Sequence, residues 1–382
     1  MPIRVLEFYS GIGGLHRALS QSNVEGEVVC AYDWDQCACR VYTTNYGANI
    51  VKKVDICTLQ ASDLAVHQAD LWLLSPSCQP YTVLNPLARG AEDPRAKSFI
   101  HLIEHVLPQL VAEGAHPSYM LIENVAGFET SSTRHRLLAT LESLRYSIVE
   151  LLLTPLQFGV PNSRLRYYLF AKAKPLGFRT VDILESAPES RVWRHIPGRG
   201  EDWVDPRSGE EKAQKEQDPT AEIREYLDAE PDNSLVHPNA VPDPVLEKWG
   251  RLFDIVLPSA RRSCCFTRGY AKMAERSGSV LQMNEELDTT TVFDRFLAAQ
   301  RRGEKDAVRI LAPLRLRYFS PTELLRLFCF LPLVTASPVA DASINHEDFG
   351  WPTDLSVKTQ YRLIGNSVNV RVVTELINYL FE

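Results

Sequence analysis

The first 175 or so residues repeat one local theme: a short apolar run rich in β-formers, then a stretch whose apolar residues recur at helical spacing. The runs Arg4–Phe8, Glu27–Tyr32, Asp70–Ser75, Tyr119–Glu123, Ile148–Leu153 and Tyr167–Ala171 predict strands. Between them, Leu15–Ser20, Gln36–Tyr42, Ser98–Leu110 and Thr133–Leu144 predict helices. This alternation restricts the chain to a doubly wound α/β layer, and right-handed crossovers predict a largely parallel sheet. Ligands of such sheets bind beyond the carboxyl ends of the strands. Polar and glycine-rich residues that directly follow an apolar run are therefore the first candidates for function.

With 382 residues, the chain can bury a large core and carry a smaller second unit. The composition divides it into residues 1–184 plus 355–382, a catalytic and cofactor-binding domain, and 185–354, a smaller and more irregular one. Within the latter, residues 187–219 are charged and punctuated by proline and glycine, which predicts a flexible insertion. A short helix is expected near Thr220–Leu227, and an amphipathic helix over Val370–Leu380 returns the carboxyl terminus to the first domain. Eight cysteines with no C-x-x-C pair predict reduced thiols in an intracellular protein, in cytoplasm or nucleus, and no metal centre. The opening Met1-Pro2-Ile3-Arg4-Val5 leaves no room for a signal peptide, and no apolar run has membrane-span length. A net charge of −7 argues against indiscriminate coating of nucleic acid. Local basic clusters exist all the same, at Arg261, Arg262, Arg268, Lys272 and Arg276 and at Arg301, Arg302, Lys305, Arg309, Arg315 and Arg317.

Phe8, Ser10, Gly11, Ile12, Gly13 and Gly14 end the first strand and open a helix. Such a turn lets backbone approach a ligand closely. Asp33, followed by Trp34, ends the second strand about twenty residues on, where a carboxylate reaches ribose hydroxyls. Asp55 and Ile56 follow a third apolar approach and suit an adenine ring. The spacing is not G-x-G-x-x-G, so a nucleoside without pyrophosphate is the better fit, and S-adenosylmethionine answers that description.

The third strand leads into Ser75-Pro76-Ser77-Cys78-Gln79-Pro80, a proline-bracketed turn that holds a thiol at the edge of the sheet. Tyr119–Ile122 leads into Glu123-Asn124-Val125, where a carboxylate at a strand end is costly unless it is paired or used. Arg164 and Arg166 stand two apart, on one side of an extended segment.

In this order the motifs resemble the cytosine-5 methyltransferase family, whose pattern runs through almost the whole chain. Phe8–Gly14 is similar to its cofactor loop and Pro76-Ser77-Cys78-Gln79-Pro80 to its nucleophile motif. Glu123-Asn124-Val125, Gln157–Arg166 and Gly365-Asn366-Ser367-Val368-Asn369-Val370 are similar to its later blocks. Cys265-Phe266-Thr267-Arg268-Gly269-Tyr270 resembles the signature of the DNA methyltransferase 2 homologues.

The resemblance implies an S-adenosylmethionine-dependent fold and methyl transfer to carbon 5 of cytosine in tRNA, at cytosine 38 of aspartate tRNA. It implies that Cys78 adds to ring carbon 6, that Glu123 holds the exocyclic amine and ring nitrogen 3, and that Arg166, supported by Arg164, meets charge near the 2-carbonyl. Asn366, Ser367, Val368, Ser75 and Pro76 would complete the cofactor site, and Cys265, Phe266, Thr267 and Arg268 would face the substrate. A monomer with tRNA as partner, weak DNA binding and no membrane association is expected.

One departure bears on activity: the family motif reads Pro-Pro-Cys, whereas Ser77 precedes Cys78 here. Serine frees φ and restores a backbone donor, which predicts reduced or conditional activity. The alternatives are a catalytically silent protein that binds cofactor and tRNA, and the same chemistry on DNA.

Overall fold

The structure, a computed structural model, describes residues 2–81, 90–178, 191–205, 220–229, 237–333 and 349–382. Most of the 187–219 insertion lies outside the described residues, as do residues 82–89 and 334–348.

Strands β1 (Ile3–Phe8), β2 (Gly26–Asp33), β3 (Val51–Lys53), β4 (Leu71–Leu74), β5 (Tyr119–Val125), β6 (Tyr146–Leu153), β7 (Arg166–Ala173) and β8 (Val192–Trp193) form one sheet in the order β3-β2-β1-β4-β5-β7-β6-β8. All six predicted strands are present; β3 and β8, with three and two residues, were too short to leave a periodic signal. The sheet is parallel from β3 to β5. It is not parallel beyond that, because β7 runs antiparallel to both β5 and β6. This departure from expectation matters: β7 starts at the edge where β1, β2, β4 and β5 end, so its first residue, Arg166, lies on their carboxyl side.

The central strands are buried on both faces, as continuous apolar runs such as Leu71-Trp72-Leu73-Leu74 require. One face packs on α1 (Gly14–Ser20), α2 (Gln36–Tyr46) and the helix Val370–Leu380. That last helix buries Val370, Val372, Val373, Leu376, Ile377 and Leu380, and its Thr374 Oγ1 bonds the Ala18 carbonyl of α1 at 3.3 Å. The other face packs on residues 97–112 and the helix Ser132–Ser143.

A separate three-stranded sheet, β11 (Leu316–Arg317), β10 (Ser279–Gln282) and β9 (Asp254–Val256), covers a smaller core that includes Val292, Phe293 and Phe296. Residues Phe319–Phe330 join the large core instead. The helix expected near Thr220–Leu227 is a single 3-10 turn, Ile223–Tyr226.

Candidate active site

Register aligns Phe8 of β1 with Tyr32 of β2 and Leu74 of β4, and Leu74 with Ile122 of β5. The residues that follow each of these therefore leave the sheet along one edge: Tyr9 and Ser10, Asp33, Ser75 and Pro76, and Glu123.

At the β1–β2 end, the Gly11 N–H donates to Asp33 Oδ2 at 2.8 Å and the Asp35 N–H to Asp33 Oδ1 at 2.8 Å. Burial raises the Asp33 carboxyl above its ordinary value, against those backbone donors. Gly11 has φ +53° with space around it, whereas the other two glycines are close-packed. A Cβ on Gly13, at φ +83°, would sit 2.1 Å from the Tyr46 ring, and one on Gly14 would sit 2.7 Å from Val368 Cγ2. Gly13 and Gly14 thus admit neighbouring side chains where the sequence suggested a ligand. Phe8 is likewise fully buried, its ring 5.3 Å from Tyr32 and 4.9 Å from Trp72. Ile12 and Val368 are buried too.

By contrast, the Trp34 indole is 77% exposed at the strand end, free to stack on a flat ring. Asp55 caps the turn that carries Ile56, accepting from the Cys57 N–H at 2.9 Å. An open glycine, two strand-end carboxylates and an exposed indole form a donor set that suits a nucleoside.

Beneath this loop lies an arrangement that sequence patterns did not reveal. Glu7 of β1, fully buried, accepts from the Tyr42 hydroxyl at 2.7 Å, and Tyr42 meets His16 Nδ1 at 2.7 Å. The His16 ring stacks on Tyr46 at 4.1 Å, and the Tyr46 hydroxyl donates to the Gly13 carbonyl at 2.9 Å. Burial pushes the Glu7 carboxyl up to about 8 and the His16 ring down to about 4, which favours the neutral form of each.

At the β4–β5–β7 end, the nucleophile turn is held from both sides. The Ser75 N–H and Oγ donate to the carbonyls of Phe8 at 3.3 Å and Tyr9 at 3.0 Å. Asn124, fully buried, donates from Nδ2 to the Pro76 carbonyl at 3.2 Å, and the Tyr81 N–H donates to the Cys78 carbonyl at 3.0 Å.

Glu123 faces Arg166 Nε at 3.4 Å from Oε1. Burial raises the Glu123 carboxyl above its ordinary value, while Arg166 and Arg164 oppose the rise. Burial also raises the Cys78 thiol; Arg166 pulls it down and Glu123 pushes it up. Thiol, carboxylate and guanidinium thus share one electrostatic site.

Arg164, 3% exposed, lowers the Cys78 thiol and the Glu123 carboxyl alongside Arg166 and also has a structural task. It donates to the carbonyls of Phe266 at 2.9 Å, Ser367 at 2.6 Å and Gly365 at 3.2 Å, tying its own connection to two distant segments, around 266 and 365–367. The connection that carries it is zipped to residues 263–264: Ser163 N–H to Ser263 O at 2.8 Å, Asn162 Nδ2 to Cys264 O at 2.9 Å. This delivers Cys265 Sγ to 3.4 Å from Arg164 Nη1 and 3.6 Å from Arg166 Nη2. Burial alone would raise this second thiol, but the two guanidinium groups hold it below its ordinary value. Phe266 is fully buried against Tyr270 and Phe319. Thr267 backs onto Gly365, Arg268 is exposed, and Asn366 is exposed next to the Arg164 clamp.

Five of the basic residues singled out as a nucleic-acid surface already hold carboxylates. Arg261 pairs with Glu222, Arg262 with Asp205, Arg276 with Glu275, Arg302 with Glu304, and Arg317, fully buried, with Glu323. Among the described residues there is no metal-ligating cluster and no helix long and apolar enough to cross a membrane.

The family profile of C-5 cytosine-specific DNA methylases matches residues 3–382. A protein of Schizosaccharomyces pombe named tRNA (cytosine(38)-C(5))-methyltransferase is 36% identical over 381 residues, covering 100% of this chain and 97% of its own. A Dictyostelium discoideum protein named DNA (cytosine-5)-methyltransferase is 34% identical, covering 99% and 94%. The crystal structure of the S. pombe Dnmt2 methyltransferase superposes with a TM-score of 0.73 at 34% identity, covering 100% of this chain and 98% of that one.

Proposed function

This chain belongs to the C-5 cytosine-specific DNA methylase family, and from that premise we propose that it methylates carbon 5 of a tRNA cytosine, cytosine 38 of aspartate tRNA, through a covalent bond to Cys78. The observation that carries the reading is the meeting of Cys78, Glu123 and Arg166 at one sheet edge, in a chain whose full-length relatives include a tRNA cytosine-38 methyltransferase.

S-adenosylmethionine, when bound, supplies an electrophilic methyl group. Gly11, Asp33, Trp34, Asp55 and the Ser75-Pro76 turn are the residues proposed to hold it, with the Ser367 and Val368 side chains packed behind the loop.

The chemistry of the chain's own groups follows from their coupling. Cytosine carbon 5 is a poor nucleophile until a thiolate adds to carbon 6. Cys78 resists ionisation while Glu123 is charged, since that carboxylate raises the thiol. A buried Glu123 that keeps a proton removes that opposition and at the same time donates to ring nitrogen 3, so acid and nucleophile assist each other. Arg166 favours the thiolate and is placed to meet charge at the 2-carbonyl. After methyl transfer the carbon 5 proton is lost to a base and Cys78 is eliminated. The anticodon loop is single-stranded, which lowers the cost of turning a base into the site.

The target-recognition unit is proposed to lie within 185–354, around the smaller core, and the protein to act as a monomer. A second reading, the same reaction on DNA, draws support from the name of the D. discoideum relative.

The experiment is transfer of labelled methyl from S-adenosylmethionine to aspartate tRNA and to duplex DNA, together with trapping on tRNA that carries 5-fluorocytosine at position 38. Wild type is expected to label tRNA and form a denaturant-stable adduct, and Cys78→Ala to lose at least about 1000-fold in rate and all adduct. Labelling of DNA alone would replace the tRNA reading, and labelling of neither would remove it.

A further inference from the structure

One cationic feature lies outside both the catalytic cluster and the basic segments picked out by sequence. Residues Lys97–Ala112 form one helical rod, α-helical over Lys97–His101 and Leu107–Ala112, with a π turn over Leu102–Val106. Lys97, His101 and His105 from this rod line a cavity of about 350 Å³ with Arg136 of the helix Ser132–Ser143. Cys57, Ala91 and Ile100 complete the lining, and none of the lining side chains is acidic. Widened turns of this kind often mark functional positions, because they displace side chains from the ordinary helical register.

Position links this cavity to the reaction edge. Cys57 directly follows Asp55-Ile56, the proposed adenine contact. Lys97 follows the turn Pro94–Ala96, whose Arg95 holds Gln79, the neighbour of Cys78.

Its chemistry is donor-rich. Lys97 and His105 are exposed. Arg136 is held by Glu104 through Nε and Nη2, which leaves the Nη1 edge for another acceptor. His101 donates from Nε2 to the Leu59 carbonyl at 2.8 Å, so its other nitrogen faces elsewhere. Acidic groups near the rim are Glu104, bound to Arg136, and Asp55, which accepts from the Cys57 N–H.

Resting on the tRNA reading above, we infer that this cavity is a second substrate subsite, which holds a backbone phosphate of the same tRNA whose cytosine reaches Cys78. A phosphate offers the several acceptor oxygens that an ammonium and a guanidinium, with an imidazole N–H beside them, require. The methyl donor carries no phosphate, so the cavity is not an extension of its site. Arg261, Arg262, Arg276, Arg302 and Arg317 are each paired with a carboxylate. Lys97 lines the cavity.

The test uses the full chain, with tRNA dissociation constants measured across a salt series and methyl transfer measured in parallel. Lys97→Gln is expected to raise Kd about three- to tenfold and to lower the slope of log K against log salt by about one contact. Adding His105→Gln should extend both effects, while kcat at saturating tRNA stays within twofold of wild type. Lys174→Gln, an exposed lysine beyond the opposite edge of the sheet, should change neither. Kd and slope equal to wild type in the double variant, with wild-type methyl transfer intact, would sink this subsite and leave the catalytic reading standing. Wild-type protein that neither binds tRNA nor transfers methyl would remove both. All the substituted side chains are exposed, so melting temperatures should agree and separate binding from folding.

Discussion

The two ends of the reaction edge hold their carboxylates by opposite means. At the glycine-loop end, Glu7 accepts from the Tyr42 hydroxyl and Asp33 from two backbone amides, and no cation stands among the groups that set their ionisation. At the nucleophile end, Glu123 is buried as deeply but shares its surroundings with Arg166 and Arg164. Neutral bracing suits a loop that must keep its shape before a ligand arrives. Balanced charge suits a cluster that must move protons, because each group's ionisation then depends on its neighbours. Substitutions at the nucleophile end should therefore act through charge, and those at the loop end through pH and packing.

The largest effect on the whole molecule is expected at Arg164. Its N–H groups draw together the segments around residues 266 and 365–367, and an alanine would take a donor from three carbonyls there. Arg164→Ala should cost about 3–5 kcal/mol of stability. Chemical denaturation would show this as a fall in midpoint, and an unchanged midpoint would mean that the clamp is dispensable.

Glu123→Gln tests the same end through chemistry. The amide keeps the shape but gives ring nitrogen 3 no exchangeable proton, and it removes the charge that opposes Cys78 ionisation. The expected result is a loss of about 100- to 1000-fold in kcat, with a Cys78 thiol that alkylates at lower pH than in wild type. A higher alkylation pKa in the variant would show that Glu123 does not set the state of Cys78.

Much of this edge was legible in the sequence because chemistry-bearing residues follow apolar runs: Asp33, Cys78 and Glu123 follow those of β2, β4 and β5, whereas Arg166 opens β7 and reaches the same edge only because that strand is antiparallel. The rule fails where function depends on what packs behind. Phe8, Gly13 and Gly14 lie inside the glycine motif, yet their surroundings are Trp72, Tyr46 and Val368, which lie far along the chain. Asn124 braces the nucleophile turn from the next strand, a contact that only the β4–β5 register reveals. The antiparallel β7 is invisible to periodicity, since strand direction leaves no mark on a short apolar run. The Glu7–Tyr42–His16 chain was hidden because a glutamate inside a strand reads as an outward-facing residue.

That chain gives the loop end its own prediction. Burial raises the folded-state pKa of Glu7 to about 8 from 4.5. A raised carboxyl favours the fold while it is protonated: the contribution is fully present below pH 4.5 and is lost as pH rises towards 8. Glutamine keeps an acceptor for the Tyr42 hydroxyl and never ionises. Glu7→Gln should match wild type near pH 4.5 and then become the more stable of the two, by on the order of a few kcal/mol at pH 8. Melting curves across that range would reveal the divergence. Parallel curves would mean that Glu7 is charged in the folded protein and that the bracing at this end is ionic after all.

The smallest effect is expected at the residue that set this chain apart as a sequence. Ser77 sits between Pro76, whose carbonyl is held by Asn124, and Cys78, whose carbonyl is held by Tyr81. Ser75 is tied to β1 by two further bonds. With the turn fixed on both sides, a proline at position 77 would remove freedom the folded backbone no longer has, and the stability gained by restricting the unfolded chain is worth about 1 kcal/mol or less. Ser77→Pro should therefore alter kcat by less than about tenfold, in contrast to the roughly 100-fold that a 1 Å displacement of the nucleophile would bring. Single-turnover methyl transfer with wild type and variant side by side decides between them. A silent wild type rescued by proline would show that the flanking bonds do not hold Cys78, and that the nucleophile end relies on local stiffness which this chain has given up.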